Sequence, residues 1–237
     1  MNITKEKLAD FKNIVDTYKK KTDFPVKDAW KELDNNNLWL RLVGQVNVVG
    51  GVVGNDRFFS RPDLLQRLKF TSLAKLNDDE LQFTINAVLR EAGVRYAGST
   101  LDKCKKSKAL VHNYKFISTF KGGFKGLLKE ISEYQGETSE LDRVMFLTKH
   151  FKFIKNKSAR DFLMGLGINT KTLAIDIRIQ NIFSHFGLTL PNATGLNKKS
   201  IYDAIEKEII DKICIPLKIE PVKFDRILFQ NYSKIIA

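Results

Sequence analysis

The sequence is short of the residues on which several classes of protein depend. It has two cysteines, three histidines and five prolines in 237 residues, and no run of about 18 consecutive apolar residues. Two isolated cysteines, Cys104 and Cys214, exclude an all-cysteine metal site and argue against a secreted disulfide scaffold, although they could still pair or stay as buried thiols. The missing apolar run argues against a membrane-spanning helix, and the charged N-terminal residues do not resemble a signal peptide.

Motifs that bind nucleotides or metals are also missing. The sequence contains no Gly-x-Gly-x-x-Gly, Gly-x-x-x-x-Gly-Lys-Ser/Thr or Gly-x-Ser-x-Gly segment. Its histidines, at positions 112, 150 and 185, are too far apart for a zinc-binding helix. We therefore expect an intracellular protein with no metal site and no cofactor.

Positive charge is what the sequence has in excess. There are 40 Lys and Arg against 27 Asp and Glu, a formal net charge of +13. With 43% hydrophobic and 11% aromatic residues the chain is expected to fold rather than to be a basic disordered tail. This balance is typical of a protein that binds a polyanion, usually nucleic acid or an anionic membrane surface, although some soluble basic proteins bind neither.

Apolar residues repeat at helical spacing along most of the chain. The periodicity predicts roughly ten short helices and no clearly alternating strand, so the predicted fold class is all-α. One predicted helix, 139–150, opens on Ser139-x-x-Asp142, a pattern like a capping box.

The segment 141–188 carries the most specific pattern. One amphipathic helix is followed by a lysine-rich connection in which Phe153 and Ile154 are expected to be exposed. A second helix begins near Lys157 and ends at Gly167. A loop then leads to Asp176, which stands where the N-cap of a helix over 177–186 belongs.

Three motifs stand out in this segment: Lys157-x-Ala159-x-x-Phe162-Leu163-x-x-x-Gly167, Ala174-Ile175-Asp176-x-Arg178-Ile179 and Phe186-Gly187-Leu188. With this order of elements they resemble the helix-hairpin-helix DNA glycosylase superfamily, and within it the 8-oxoguanine DNA glycosylase/AP lyase branch. The resemblance is specific over 153–188 and weaker at Gly93–Tyr96 and Phe224–Phe229.

The resemblance implies two helical subdomains with a cleft between them. Residues 38–135 would form one, and residues 1–37 with 136–237 would form the other, which carries the hairpin and the catalytic loop. Lys157 would be the nucleophile, held in a closed, partly apolar pocket that disfavours its ammonium form. Asp176 would stabilise the positive charge that develops on the sugar, and helix N–H groups would keep its carboxylate ionised.

The connection before Lys157 departs from the family. Family members usually have glycine-x-glycine there, so that backbone N–H groups can approach a DNA phosphate. Here the positions hold Phe153, Ile154 and Lys155, followed by Asn156, a residue type that adopts the left-handed conformation more readily than most. Lys152 and Lys155 could supply charge to the phosphate instead, so residues 152–156 are predicted to contact DNA.

Recognition of a flipped base needs further residues. In the resembling family a polar residue after an early helix fills the vacated stack; Gln45 and Asn47 are the candidates, although both could be ordinary helix-end residues. Arg178 is a further predicted DNA contact. The aromatic residue that stacks on the base could be any of three: Trp30, Trp39 or Phe229.

The leading prediction is a bifunctional DNA glycosylase and AP lyase that flips and excises an oxidised purine, above all 8-oxoguanine. It would form a Schiff base through Lys157 and cleave the strand by β-elimination. Its partner would be double-stranded DNA containing a damaged base. We expect an intracellular monomer that is associated with DNA rather than with a membrane, in the cytoplasm or nucleoid if the organism is a prokaryote. The alternatives are a glycosylase for another lesion, a helix-hairpin-helix DNA-binding protein that has lost catalysis, and, more remotely, an all-helical protein that binds RNA or an acidic partner.

Overall fold

The structure is a computed structural model that describes residues 1–98, 100 and 103–237. Within these residues every regular element is a helix and no strand is present. The predicted all-α fold class is therefore confirmed.

The chain forms two compact units. The central unit is one contiguous segment, Ala29–Ile154, and the terminal unit joins Met1–Asp28 to Lys155–Ala237. The boundary between them falls inside the predicted hairpin, after Ile154. The two subdomains expected from the sequence, 38–135 and 1–37 with 136–237, stay a prediction.

The central unit is built from eight α-helices among its described residues. They are α2 (Asn35–Asn47), α3 (Val53–Phe59), α4 (Pro62–Arg67), α5 (Phe70–Leu73), α6 (Asp78–Glu91), α7 (Lys105–Ser118), α8 (Gly123–Ser132) and α9 (Ser139–His150). A 3-10 turn, Ala29–Glu32, precedes them.

The terminal unit contributes the remaining α-helices of the structure. They are α1 (Lys5–Tyr18), α10 (Asn156–Gly165), α11 (Ile177–His185), α12 (Ala193–Leu196), α13 (Lys199–Ile209), α14 (Pro221–Gln230) and α15 (Tyr232–Ile235). Short 3-10 and π segments, Lys19–Lys21 and Ile210–Cys214, extend α1 and α13.

The start of α9 differs from the predicted capping box. Ser139 already has helical geometry, and the N-cap is Thr138, one residue earlier. The Thr138 hydroxyl donates to Asp142 Oδ2 at 2.9 Å. The Asp142 carboxylate thus accepts from a threonine hydroxyl rather than from the N-cap backbone N–H that a capping box uses.

Apolar side chains of α1 hold the two segments of the terminal unit together. Phe11 is fully buried, and its ring centroid lies 5.0 Å from that of Phe183 on α11 and 5.8 Å from that of Phe224 on α14. Burying a large aromatic side chain is worth about 2–3 kcal/mol. This packing joins residues near the start of the chain to α11 and α14, which position the candidate site.

Gly167 directly follows Leu166, the C-cap of α10, and no other residue type fits at this position. Its φ is +70°, a left-handed value, and a Cβ at this position would lie 1.9 Å from the carbonyl oxygen of Val26. The Asp28 N–H donates to the Gly167 carbonyl at 3.0 Å. The predicted helix stop is thus also a close contact with the N-terminal segment.

Candidate active site

Lys157 lies in the first turn of α10. The turn is closed by Ser158, whose hydroxyl accepts from the Lys155 N–H at 2.8 Å. Ala159 and Phe162 on the same helix are buried, which fixes the direction of the helix face that carries the lysine.

The immediate neighbour of Lys157 is a carboxylate. Its Nζ donates to Asp161 Oδ2 at 3.0 Å, one helical turn along α10, and the two side chains are 33% and 16% exposed. The i,i+4 spacing places an acid beside the amine, which the expectation of a closed, partly apolar pocket did not include. An ion pair stabilises the ammonium form that a nucleophile must give up.

Asp161 is shared by a second cation. Arg226 on α14 donates from Nη2 to Asp161 Oδ1 at 2.8 Å. Burial would raise the pKa of the Asp161 carboxyl, but the Lys157 ammonium and the Arg226 guanidinium outweigh it and lower the pKa to about 2. Asp161 is therefore a carboxylate at every working pH.

Asp176 caps α11, as its position in the sequence predicts. Its Oδ1 accepts from the N–H groups of Arg178 at 2.9 Å and of Ile179 at 3.2 Å. Lys157 and Asp176 belong to the same unit. The ion pair that Lys157 makes among the described residues is with Asp161 and not with Asp176.

Three consecutive backbone N–H groups just before Asp176 are held by side chains of α13 and α14. The three N–H groups donate from Leu173 N to Glu206 Oε1 at 2.7 Å, from Ala174 N to Asp225 Oδ1 at 2.8 Å and from Ile175 N to the Tyr202 hydroxyl at 2.7 Å. The Tyr202 hydroxyl in turn donates to the Leu173 carbonyl at 2.9 Å. We call this arrangement the loop clamp; it fixes the backbone that leads into Asp176.

The loop clamp is tied to α10 by a buried arginine. Arg160 has no exposed surface; its Nε lies 2.9 Å from Glu206 Oε1 and its Nη2 lies 2.7 Å from Glu206 Oε2. Its guanidinium carbon is 4.2 Å from the Tyr202 ring centroid. Burial raises the pKa of Glu206 although Arg160 opposes the shift. The helix of Lys157 and the loop of Asp176 are thus parts of one hydrogen-bonded network.

Sequence reasoning missed the loop clamp and Arg160. One signal was available: Glu206 lies on the apolar face of α13, at i+4 from Tyr202 and three residues before Ile209, both of which are fully buried. An acidic residue on an apolar helix face usually has a buried partner. Nothing in the local pattern identifies that partner, which lies 46 residues away in Arg160.

Asp225, part of a weakly resembling segment, is the other buried acid of the site. It is 1% exposed, and its Oδ2 lies 3.9 Å from Arg226 Nη1. Burial raises its pKa to about 7, and the nearby Arg226 only partly offsets this. Its charge therefore changes near neutral pH.

One residue of the hairpin turn has a left-handed backbone conformation, although the turn contains no glycine. Phe153 has φ +62°, in the region that glycine adopts freely and bulky residues avoid. The buried amide of Asn113 on α7 brackets the turn: it accepts from Lys152 N at 2.7 Å and donates to Lys152 O at 3.1 Å. His112 adds a contact from Nε2 to the His150 carbonyl at 3.0 Å. These hydrogen bonds hold the turn in a conformation that strains Phe153 and that a glycine would adopt freely.

The other predicted phosphate-contacting residues differ in exposure. Lys152 and Lys155 are exposed, as a phosphate contact requires, but Ile154 is 3% exposed and belongs to the core rather than to the surface. Asn156 is the first residue of α10, and its amide donates to the carbonyls of Leu196 and Asn197 at 3.3 Å each. Its side chain binds the protein backbone in this structure, and the DNA contact of Asn156 stays a prediction.

The candidate gap-filling residues lie in the last turn of α2. Asn47 is 1% exposed, and neither polar atom of its side chain has a hydrogen-bond partner among the described residues; Gln45 is half-buried. The buried Lys106 caps this helix end, donating from Nζ to Asn47 O at 2.8 Å and to Val49 O at 2.7 Å. Burial lowers the pKa of Lys106 to about 8.

Of the three aromatic candidates, the structure leaves one near the surface. Trp39 is fully buried between Phe70 and Tyr114, and Trp30 is 4% exposed, so both are core residues. Phe229 on α14 is half-buried and lies 4.3 Å, ring centroid to guanidinium carbon, from the predicted DNA contact Arg178. That arginine therefore stacks on an aromatic ring in this state.

The described residues offer neither a metal site nor a membrane-spanning helix. In residues 1–98, 100 and 103–237 no cluster of three His, Cys, Asp or Glu side chains could hold a metal ion. No helix in that part of the chain has both the length and the apolarity to cross a bilayer. Cys104 and Cys214 are both free and buried.

A comparison with solved structures shows that the fold is similar to that of known 8-oxoguanine DNA glycosylases. The 8-oxoguanine DNA glycosylase of Thermotoga maritima matches with a TM-score of 0.65 and 21% identity over 94% of each chain. That of Methanocaldococcus jannaschii matches with a TM-score of 0.66 and 16% identity over 96% of this chain and 94% of its own.

A further match is the M. jannaschii 8-oxoguanine glycosylase/lyase in complex with a 15mer DNA containing 8-oxoguanine. It has a TM-score of 0.61 and 17% identity over 95% of this chain and 93% of its own. No protein-family model and no curated protein matches the chain. At these identities the likeness establishes the fold, and the resemblance stated from the sequence is confirmed at that level.

Proposed function

We propose that this chain is a DNA glycosylase and AP lyase that excises an oxidised purine, most specifically 8-oxoguanine. One observation carries the proposal: a chain with the glycosylase fold over more than nine-tenths of its length has Lys157 in the first turn of α10 and Asp176 capping α11. The net charge of +13 suits a double-stranded DNA partner. We further propose that it acts as a monomer and is associated with DNA in the cell.

Lys157 would supply the nucleophile and Asp176 the opposing charge. The Nζ lone pair forms a bond to C1′ of the damaged nucleotide while the C1′–N9 bond breaks, and the base leaves with that electron pair and takes a proton. The ionised Asp176 stabilises the positive charge that develops on the sugar as the bond to the base weakens.

Strand cleavage would follow from the same adduct. The nitrogen loses a proton, the C1′–O4′ bond breaks, O4′ takes up the proton and a protonated Schiff base remains. This cation acidifies C2′, and loss of a C2′ proton breaks the C3′–O bond by β-elimination. No metal is needed for any of these steps.

Borohydride trapping tests the lyase step. Wild type incubated with a duplex containing 8-oxoguanine or an abasic site should form a covalent adduct, and Lys157→Gln should form none. Lys12→Gln is the matched control, because Lys12 also pairs with an aspartate at i+4, Asp16 on α1, and both are exposed. An adduct that persists in Lys157→Gln would move the nucleophile elsewhere, and none in wild type would refute the lyase activity.

A lesion panel tests the substrate. The similar solved structures are named as 8-oxoguanine glycosylases, and that supports an oxidised purine for this chain. Duplexes carrying 8-oxoguanine, an oxidised pyrimidine or an alkylated purine should be cleaved in that order of rate. Faster release of either of the last two would assign the chain to another lesion.

A helix-hairpin-helix DNA-binding protein without catalysis is the second candidate. The ion pair between Lys157 and Asp161 favours it, because a lysine held as ammonium is not a nucleophile. Duplex binding by wild type without cleavage or trapping on any of these substrates would establish this second function.

A further inference from the structure

A carboxylate stands beside the candidate nucleophile. The Nζ of Lys157 lies 3.0 Å from Asp161 Oδ2, and only 16% of the aspartate side chain is exposed. Water screens such a pair less than it screens a surface pair. The amine therefore meets a fixed negative charge before any substrate arrives.

Asp161 divides its charge between two cations. Oδ2 faces Lys157, and Oδ1 accepts from Arg226 of α14 at 2.8 Å, whose side chain is 12% exposed. Arg226 competes with Lys157 for the same carboxylate and repels its ammonium. The strength of the lysine pair thus depends on a residue 65 positions further along the chain than Asp161.

Asp225, also on α14, is a further charged group that acts on this pair. It lies beyond Arg226, 3.9 Å from Nη1. The pKa of Asp225 is about 7 and that of Asp161 is about 2, so both carboxyl groups stay ionised throughout the alkaline range. A change in the Lys157 titration after a substitution at Asp161 or Arg226 can then be assigned to that substitution, because neither carboxyl group changes its charge in that range.

We propose that Asp161 is a positioning residue that holds Lys157 as an ammonium in the resting protein, with Arg226 limiting the strength of that hold. The inference rests on the proposed function, in which Lys157 must become a neutral amine. To attack, Lys157 leaves Asp161 and one Nζ–H bond breaks: the proton passes to solvent water, and the electron pair stays on nitrogen as the attacking lone pair.

Two substitutions should shift the titration of Lys157 in opposite directions. Asp161→Asn removes the negative charge, so the titration midpoint moves to lower pH by about one unit, which makes the neutral fraction about tenfold larger below the midpoint. Arg226→Gln removes the competing cation, so the midpoint moves to higher pH. Asp161→Glu keeps the charge at i+4 and should restore the wild-type midpoint.

Carbon NMR of the full chain measures these midpoints without any substrate. The lysines are reductively methylated with ¹³C-formaldehyde, which keeps them titratable, and Lys157→Arg identifies the Lys157 signal by its loss. Asp16→Asn, which breaks the exposed Lys12–Asp16 pair, should move the Lys12 signal and leave that of Lys157 in place. A Lys157 midpoint that is unchanged by Asp161→Asn, or that moves the same way in Asp161→Asn and Arg226→Gln, would overturn the proposal.

The pH profile of borohydride trapping separates this inference from the proposed function. On an abasic duplex, the profile of Asp161→Asn should rise at a pH about one unit lower than that of wild type. A trapping profile unmoved by Asp161→Asn would refute the role of Asp161 while leaving the lyase intact. If wild type forms no adduct, the proposed function fails, and the NMR titration still decides whether Asp161 holds the ammonium.

Discussion

At the scale of single residues, Asp225 is a carboxyl group that folding removes from water. Its pKa rises from an ordinary 3.8 to about 7 because it is buried. The folded chain therefore binds this proton more tightly than the unfolded chain. The resulting stabilisation is complete below about pH 4 and is lost as the pH rises through about 7.

We predict that Asp225→Asn reduces the fall in unfolding free energy between pH 4.5 and pH 7.5. A shift of this size corresponds to roughly 4 kcal/mol at most, and the amide can still accept from the Ala174 N–H. Urea unfolding at both pH values measures it, with the exposed Asp16→Asn as control. An equal fall in wild type and Asp225→Asn would contradict the burial argument.

Phe153 makes a second prediction at this scale. Its φ of +62° strains any residue with a Cβ, so Phe153→Gly should be more stable than Phe153→Ala by about 1 kcal/mol. The comparison cancels the loss of the aromatic ring, which both variants share. At the exposed Lys149 in α9 the order should reverse, with Ala more stable than Gly. Thermal or urea unfolding of the four variants gives the two differences.

The left-handed residue of the hairpin could not be predicted from sequence. An aromatic side chain disfavours that conformation, and asparagine at 156 is the better local candidate. The contacts that hold Phe153 there come from Asn113, whose amide meets Lys152 from 39 residues away. Tertiary hydrogen bonds decide the conformation against local preference.

At the scale of elements, the loop clamp replaces regular structure in the segment before α11. Tyr202→Phe removes the hydroxyl that accepts from Ile175 N and donates to Leu173 O. We predict destabilisation by about 1–3 kcal/mol and much faster hydrogen exchange at Ile175, because a buried N–H loses its partner. Exchange measured by NMR checks this, and the amides in the middle of α6, in the central unit, should keep their rates. Unchanged exchange at Ile175 would show that the hydroxyl does not fix the loop.

Helices α10 and α11 show which parts of the site sequence can predict. Their bounds and the cap at Asp176 rest on signals within a few residues: an apolar face, a glycine after the end and an aspartate before the start. Asp161 was overlooked although it lies at i+4 from Lys157, because the helix pattern alone does not say which neighbours are buried. The partners Arg226 and Glu206 belong to α14 and α13, and periodicity carries no information on such pairings.

At the scale of the whole molecule, the excess of 13 positive charges predicts salt-dependent binding to duplex DNA. The exposed Lys152 and Lys155 flank the hairpin turn. If each contacts a phosphate, Lys152→Gln and Lys155→Gln should each reduce the slope of log affinity against log salt by about one. Fluorescence anisotropy with a labelled duplex measures the slope. Lys12→Gln on α1 should leave it unchanged, and a slope insensitive to both hairpin variants would remove the hairpin from the phosphate contact.

The two-segment terminal unit has a consequence for the order in which the chain is made. Helix α1 leaves the ribosome before α11 and α14, yet its buried Phe11 packs against Phe183 and Phe224 on those two helices. The contiguous central unit has all of its residues as soon as Ile154 is made. The buried face of α1 therefore lacks its partners until α11 and α14 have been made, and this face is where a chaperone would be needed.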